Sequence, residues 1–422
     1  MKASLICLIG VLTLNPQLST SSFAQGSLTP PGPPAPTMKS LSDIDSHVTQ
    51  AGEKRIPIDA ADTPPSGPNA GSDDFTITAP GSYYLTGNLQ LTHLHGIEVR
   101  AVNVTIDLNG FALSGSRQGG LGSGILIQNT SPAASYTVKH GSVNGFDLGI
   151  HIAQGVNSGL APSVVDVAVT NCIVGLTLET GDASVANCRV TGNSVGIVIR
   201  GDGPTIRDCI VSDNQNDGIQ LPVVREGGMV TGCTIRHNGG AGLNSAGAPG
   251  LVVSNCSITD NASTTAGLIA SGTGTSIVDC NVSFNTGAGI SAAQGNVITG
   301  CNVRSNGKDG ILASNDCYIA RNQCSANGTK GASAGIHTTS DGNRIVDNSL
   351  IFNLDTGLKV DGAANLITGN NSRFSTTNYN IAAGNVYGPI VDDTDASASP
   401  AVSGNSAAGT INSTHPWANF SH

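Results

Sequence analysis

Residues 188–199 read Cys-Arg-Val-Thr-Gly-Asn-Ser-Val-Gly-Ile-Val-Ile, and residues 209–220 read Cys-Ile-Val-Ser-Asp-Asn-Gln-Asn-Asp-Gly-Ile-Gln. The phrase keeps returning. A Gly-Ile or Gly-Leu pair starts at Gly175, Gly196, Gly218, Gly242, Gly267, Gly289, Gly310, Gly335 and Gly357, with spacings of 21, 22, 24, 25, 22, 21, 25 and 22 residues. Between the pairs stand Cys188, Cys209, Cys233, Cys256, Cys280 and Cys301, followed at a fixed interval by Asn193, Asn214, Asn238, Asn261, Asn285 and Asn306. A cycle of this length marks a stack of similar units, none of which can bury its apolar face alone.

Each unit parses into three short strands. The first is the Gly-Ile piece (Gly196–Ile199), the second centres on Ile206, Val230, Ile277 or Ile298, and the third is Cys-x-Val. Period-2 alternation puts Ile197 and Ile199 on one face, and Cys188 and Val190 on one face. Gly, Asn and Asp gather at the joins, where positive φ is needed. The expected fold is all-β, a parallel solenoid of about 12 coils.

The composition agrees. Gly is 55 of 422 residues, aromatics are 4% and charged residues 11%, which suits short strands with tight turns better than a helical bundle or a disordered chain. A net charge of −10 argues against a nucleic-acid partner. Residues 1–24 read as an export signal, with Lys2, the apolar run Leu5–Leu14 and a small-x-small site at Ser22–Ala24. No later run is long enough to span a membrane. The expected location is extracellular or periplasmic.

Residues 25–74 form a Pro-rich arm and linker, within which Met38 to Val48 suits one short helix capped by Ser42 or Asp43. The solenoid is expected over 75–390, and 391–422 reads as an irregular tail. Its His415–Phe420 segment, with the single Trp of the chain, reads either as an edge cap or as unpacked.

Beside the repeat stand three further stretches: Thr29–Met38 (TPPGPPAPTM), Pro80–Asn88 (PGSYYLTGN) and Val104–Phe111 (VTIDLNGF). With them the chain resembles secreted bacterial right-handed parallel β-helix repeat proteins, the pectate-lyase-like and NosD-like superfamily. The resemblance covers roughly residues 75–390 and implies a right-handed coil. It also implies that an extended sugar chain binds on the first-strand face.

The cysteine column has two readings: a disulfide or soft-metal ladder, or buried thiols that fill space. In-register parallel side chains do not easily reach disulfide geometry, and ten cysteines less Cys7 of the signal leave an odd nine, which favours inert thiols. Cys172 reads as the position just before this column, and Asn322 and Asn348 as its continuation. The asparagine column reads as a hydrogen-bonded stability device. Both columns are structural ladders on this reading.

Ligand-binding candidates are Arg200, Asp202, Gln220, Arg225 and Glu226, which gather with Asp217 around the longer loop after Ile219, and the outward-facing His151 and His337. Catalytic residues are not assignable: the Asp-Asp pair within a coil, the Gly-His-Gly and the Arg-x-Lys of polygalacturonase-like proteins are absent. His93 and His95 alternate onto one face, but no third ligand is near in sequence, so no metal site is assigned. No cofactor is expected, and calcium enters only for a lyase. The leading functional reading is an exported polysaccharide-binding or cell-surface structural protein. The alternatives are a polysaccharide lyase or glycoside hydrolase, and a tailspike-like or adhesin-like homo-oligomer.

Overall fold

A computed structural model describes residues 55–59, 73–117, 119–128, 134–153, 161–222, 224, 227–392, 402–404 and 416–421. The chain divides into Met1–Lys54 and Arg55–His422. The first unit, with the signal, most of the arm and the Met38–Val48 helix, lies outside the described residues.

Every strand pairing in Arg55–His422 is parallel, and no helix occurs among the described residues. The result is a β-solenoid of about 13 turns. The first ladder has 15 described strands, running from Asp73–Ile77 through Val195–Ile199 and Thr356–Val360 to Val402–Gly404. The second ladder runs through Ser184–Ala186, Thr205–Arg207 and Met229–Thr231, the third through Arg189–Thr191, Ile210–Ser212 and Thr234–Arg236. They fuse where the longer strands Tyr136–Asn144 and Ser163–Thr170 run through both.

Strands of two to five residues suffice because each coil turns its β-branched side chains inward. Ile206, Val211, Ile219 and Leu221 of successive elements are all 0% exposed. Each such side chain contributes about 1.5–3 kcal/mol by burial. Stacked in register, they form one continuous core along the axis.

Most bends follow one pattern: a residue with positive φ is followed by a residue whose side chain points inward. At the bend before the third ladder the pairs include Asn187-Cys188 (φ 54) and Asp208-Cys209 (φ 56); at the bend after it they include Asp213-Asn214 (φ 58) and Asp260-Asn261 (φ 56). Asn and Asp tolerate this region better than most side chains.

At the second of these bends the asparagines form a continuous amide ladder. Asn214 donates from its backbone N (3.2 Å) and from Nδ2 (2.9 Å) to Oδ1 of Asn238, and Asn238 does the same to Asn261 (3.1 and 2.9 Å). Nδ2 also donates back to the preceding coil, as from Asn238 to the Val211 carbonyl at 3.3 Å. The pattern continues through Asn285, Asn306 and Asn327 to Asn353. Buried amides are thereby satisfied.

The Gly-Ile glycines exist because of this ladder. A Cβ on Gly242 would stand 2.7 Å from Nδ2 of Asn261, and one on Gly335 would stand 2.5 Å from Nδ2 of Asn353. No side chain fits between the strand and the amide of the next coil.

The cysteine column at the other bend turns into a second amide ladder. Cys301 donates from its backbone N to Oδ1 of Asn322 at 2.9 Å, and the amides continue through Asn348 and Asn370. The thiols above it donate to carbonyls, as Cys209 Sγ to the Arg207 carbonyl at 3.2 Å. All nine described cysteines are unbridged and buried. Cys172 is not in this column: its backbone N donates to Oδ1 of Asn193 at 2.9 Å, so it starts the other ladder. Val167 occupies this position in the coil before Cys188.

Two boundaries differ from the sequence reading. Arg55–Ile58 pairs with Ser82–Leu85, so the solenoid starts inside the expected linker; Ile56 and Ile58 supply the β-branched residues, and Pro57 suits an edge strand. At the other end the coils do not stop near 390. Asn419–Ser421 pairs with both Asn371–Ser372 and Ile390–Asp392. Asn370 donates from its backbone N to Oδ1 of Asn419 at 3.0 Å, so the amide ladder selects this segment although it lies 49 residues on.

Two predictions follow from the core. Asn238→Ala leaves the N–H groups of Asn214 without their acceptor and should destabilise the protein by about 2–4 kcal/mol, against within ~0.5 kcal/mol for the exposed Asn216→Ala, in urea melts. Thiol titration of the native protein should label none of the nine described cysteines until denaturant is added.

Candidate functional site

The outward side of the first ladder carries charged and amide side chains on several of its coils. Strand register puts Glu98, His151, Gln220, Asn244, His337 and Lys359 in one outward column. The inward neighbours Ile150, Ile152, Ile219 and Ile336 lock these strands into the core.

Three charged clusters occupy this face. In the first, Arg200 Nη1 donates to Glu179 Oε1 at 2.9 Å, and His151 Nε2 lies 3.9 Å from Glu179 Oε2. Burial pushes the His151 imidazole below the ordinary range, more than Glu179 raises it, which favours its neutral form. Nearer the start of the ladder, Arg100 Nη2 lies 2.5 Å from Glu98 Oε2 and 3.5 Å from Asp73 Oδ2. Burial acts to raise the Glu98 pKa, but the bonds to Arg100 and Asp73 outweigh it and hold the group low. His95 is also lowered, mainly by burial, and its Nδ1 accepts from Ser123 N at 3.2 Å.

In the third cluster His337 stands between two carboxylates. Its Nε2 is 2.8 Å from Asp361 Oδ2 and its Nδ1 is 3.4 Å from Asp309 Oδ2, while Lys359 Nζ is 3.1 Å from Asp361 Oδ2. Asp309 is held in turn by Ala334 N at 2.6 Å. Burial lowers the His337 pKa, but the two carboxylates outweigh it and raise the imidazole above its usual range.

The sequence candidates distribute unevenly over this face. His151 and Arg200 converge on Glu179. Gln220 Nε2 donates to Asp217 Oδ2 at 3.1 Å, and Asp217 also accepts from Asn244 Nδ2 (2.9 Å) and Ala241 N (2.7 Å). Asp202 sits in the turn beyond Arg200, its carbonyl accepting from Asp182 N at 2.7 Å. Arg225 and Glu226 lie outside the described residues, as does most of the insertion after Ala153. His337 is eight coils from His151, roughly 38 Å at ordinary strand spacing, so the two cannot act on one reacting centre.

Glu179, Asp309, Asp361, Glu98 and Arg100 were missed as site residues. The available signal was the position relative to each Gly-Ile pair: Glu179 and Arg200 each follow their pair by the same interval. Among the described residues no group of three or more His, Cys, Asp or Glu could hold a metal ion. The carboxylates here are already engaged by Arg100, Arg200, His337 and Lys359, so no step is routed through calcium.

The His337 cluster carries a pH signature. A raised imidazole adds stability that is fully present below its unfolded pKa of about 6.5 and disappears as pH rises through the folded value. Asp361, held low by His337 and Lys359 against the raising effect of burial, adds stability above its unfolded pKa of about 3.9. The stability difference between wild type and His337→Gln should therefore be largest near pH 5 and shrink as pH rises past 7, in urea melts across that range.

The model of the right-handed beta helix region matches residues 171–323 and 266–416. No curated protein matches the sequence. Among solved structures, the chain is similar to the A-module of the Azotobacter vinelandii mannuronan C-5 epimerase AlgE6 (15% identity, TM-score 0.40, covering 77% of this chain and 90% of that one). It is also similar to pectate lyase Pel9A (16%, 0.39, 69% and 71%) and to the Dettilon tailspike protein (12%, 0.35, 86% and 64%). Likenesses at this level carry no argument about chemistry. The matched repeats span more than half of the sequence, and the chain belongs to the right-handed beta helix family.

Proposed function

We propose that this protein is exported and binds polysaccharide along the outward face of the first ladder. The observation that carries the reading is the His151–Glu179–Arg200 cluster with its neighbours Gln220, Asp217 and Asn244. An imidazole, a carboxylate, a guanidinium and two amides follow one another there on consecutive coils. Such groups bond sugar hydroxyls and carboxylates, and the rigid ladder holds them in line. An extended chain laid along the axis meets a new set of partners at each coil. Export rests on the sequence of residues 1–24.

A second reading, a lyase or glycoside hydrolase, draws on the same cluster. A neutral imidazole near a carboxylate and a guanidinium can accept a proton while the cation holds a substrate carboxylate. The carboxylate Glu179 would keep the imidazole oriented.

Retention on immobilised polysaccharides separates these readings. Arg200→Gln should weaken binding about tenfold, the loss of one charge-assisted bond. Unchanged binding in that variant refutes the site. Turnover seen by reducing-end or ultraviolet unsaturation assay, and lost in His151→Gln with binding retained, would establish the enzyme reading instead.

A further inference from the structure

We propose that the bend between the third and first ladders, over residues 284–376, is a separate binding stripe for an acidic polysaccharide. The residue before each ladder asparagine sits there with positive φ. Most coils fill it with side chains that are small or suited to this backbone: Gly192, Asp213, His237, Asp260, Ser305 and Ala326. Two coils use phenylalanine there, Phe284 (φ 58) and Phe352 (φ 54), and Phe374 (φ 59) takes the same place one coil on, before Ser375.

Neither the backbone nor the core asks for an aromatic ring at these places. A bulky side chain in the left-handed region costs on the order of 1 kcal/mol. The three rings are 47%, 60% and 56% exposed, and besides Trp417 they are the exposed large aromatics among the described residues. Phe352 and Phe374 stack at 4.7 Å with an interplanar angle of 17° and present a flat apolar platform.

The same stripe is cationic. The Arg304 guanidinium lies 5.0 Å above the Phe284 ring, and that of Arg373 lies 5.6 Å from the Phe374 ring. Lys308 and Lys330 are exposed in the turns just beyond the ladder, where Lys330 N donates to the Gly307 carbonyl at 2.8 Å. Among the described residues none of these four cations forms an ion pair. Two nearby carboxylates are turned elsewhere, Asp309 to Ala334 N and His337, Asp355 to Thr356 Oγ1 at 3.2 Å. In a chain of net charge −10, these cations stand beside exposed rings without a carboxylate partner among the described residues.

That combination selects its ligand. An aromatic face takes the C–H face of a pyranose ring, and guanidinium and ammonium groups take its carboxylate or sulfate. The stripe is linear, along the direction in which the coils repeat, and only one bend wide. It is too narrow for the ~800 Å² per partner of a stable protein interface.

Affinity electrophoresis of the mature chain in gels containing polygalacturonate or neutral dextran tests the proposal. Phe352→Asn/Phe374→Asn keeps a residue that tolerates the left-handed region, so the fold survives, as urea melts will verify. Polygalacturonate should retard the wild type and dextran should not. The double asparagine variant should bind polygalacturonate about tenfold more weakly. Arg304→Gln/Arg373→Gln should lose affinity and much of its salt dependence. Arg200→Gln should leave this component intact, which keeps the stripe distinct from the first-ladder face. Equal retardation of the Asn variant and the wild type overturns the proposal. So does equal retardation in dextran, or a homodimer in light scattering that the Asn variant dissolves.

Discussion

The contact between a ladder asparagine and the glycine of the preceding coil holds the solenoid in register. Asn261 shows the arrangement: its Oδ1 accepts two N–H groups from Asn238, its Nδ2 donates to Oδ1 of Asn285 and to the Ile235 carbonyl, and its amide lies against the Cα of Gly242. Burying such an amide is favourable only with these partners in place. A coil displaced by one residue would lose them and would also turn its apolar side chains outward. Register along the axis is therefore specified twice, by polar bonds at the bend and by apolar columns in the core.

That redundancy frees the outward positions. Because inward residues and bends carry the fold, the exposed side of the first ladder can hold Arg200, His151 or His337 without disturbing packing. The bend has its own outward position, the left-handed residue before each asparagine, and it too varies from coil to coil. There the chain carries phenylalanines that its backbone would not select. The cysteine column shows the same tolerance inside: above Cys301 thiols occupy the position, below it asparagines do, and the backbone path is unchanged. Burial pushes the Cys317 and Cys324 thiols above their ordinary range, which keeps them protonated and unreactive.

Much of this was legible in one dimension. The repeat, the three strands, the inward Ile197 and Ile199 and the two polar columns are periodic features, and period is what a sequence displays directly. Cys172 was placed in the wrong column because coils vary in length, so spacing alone does not say which bend a cysteine occupies. The strands Arg55–Ile58 and Asn419–Ser421 were not legible for a related reason. Each lies outside the run of repeats, and each joins the stack only through partners far along the chain.

The sequence by itself determined a parallel solenoid, its inward residues and its ladders, because a repeated local pattern can bury its apolar faces in only one way. Only the tertiary structure decided which outward side chains become neighbours. Glu179 meets His151 and Arg200, Asp309 and Asp361 meet His337, and Phe352 meets Phe374, each across 21 to 28 residues of chain. Such contacts depend on the length of every loop between the coils, and no local rule of residue preference encodes that sum.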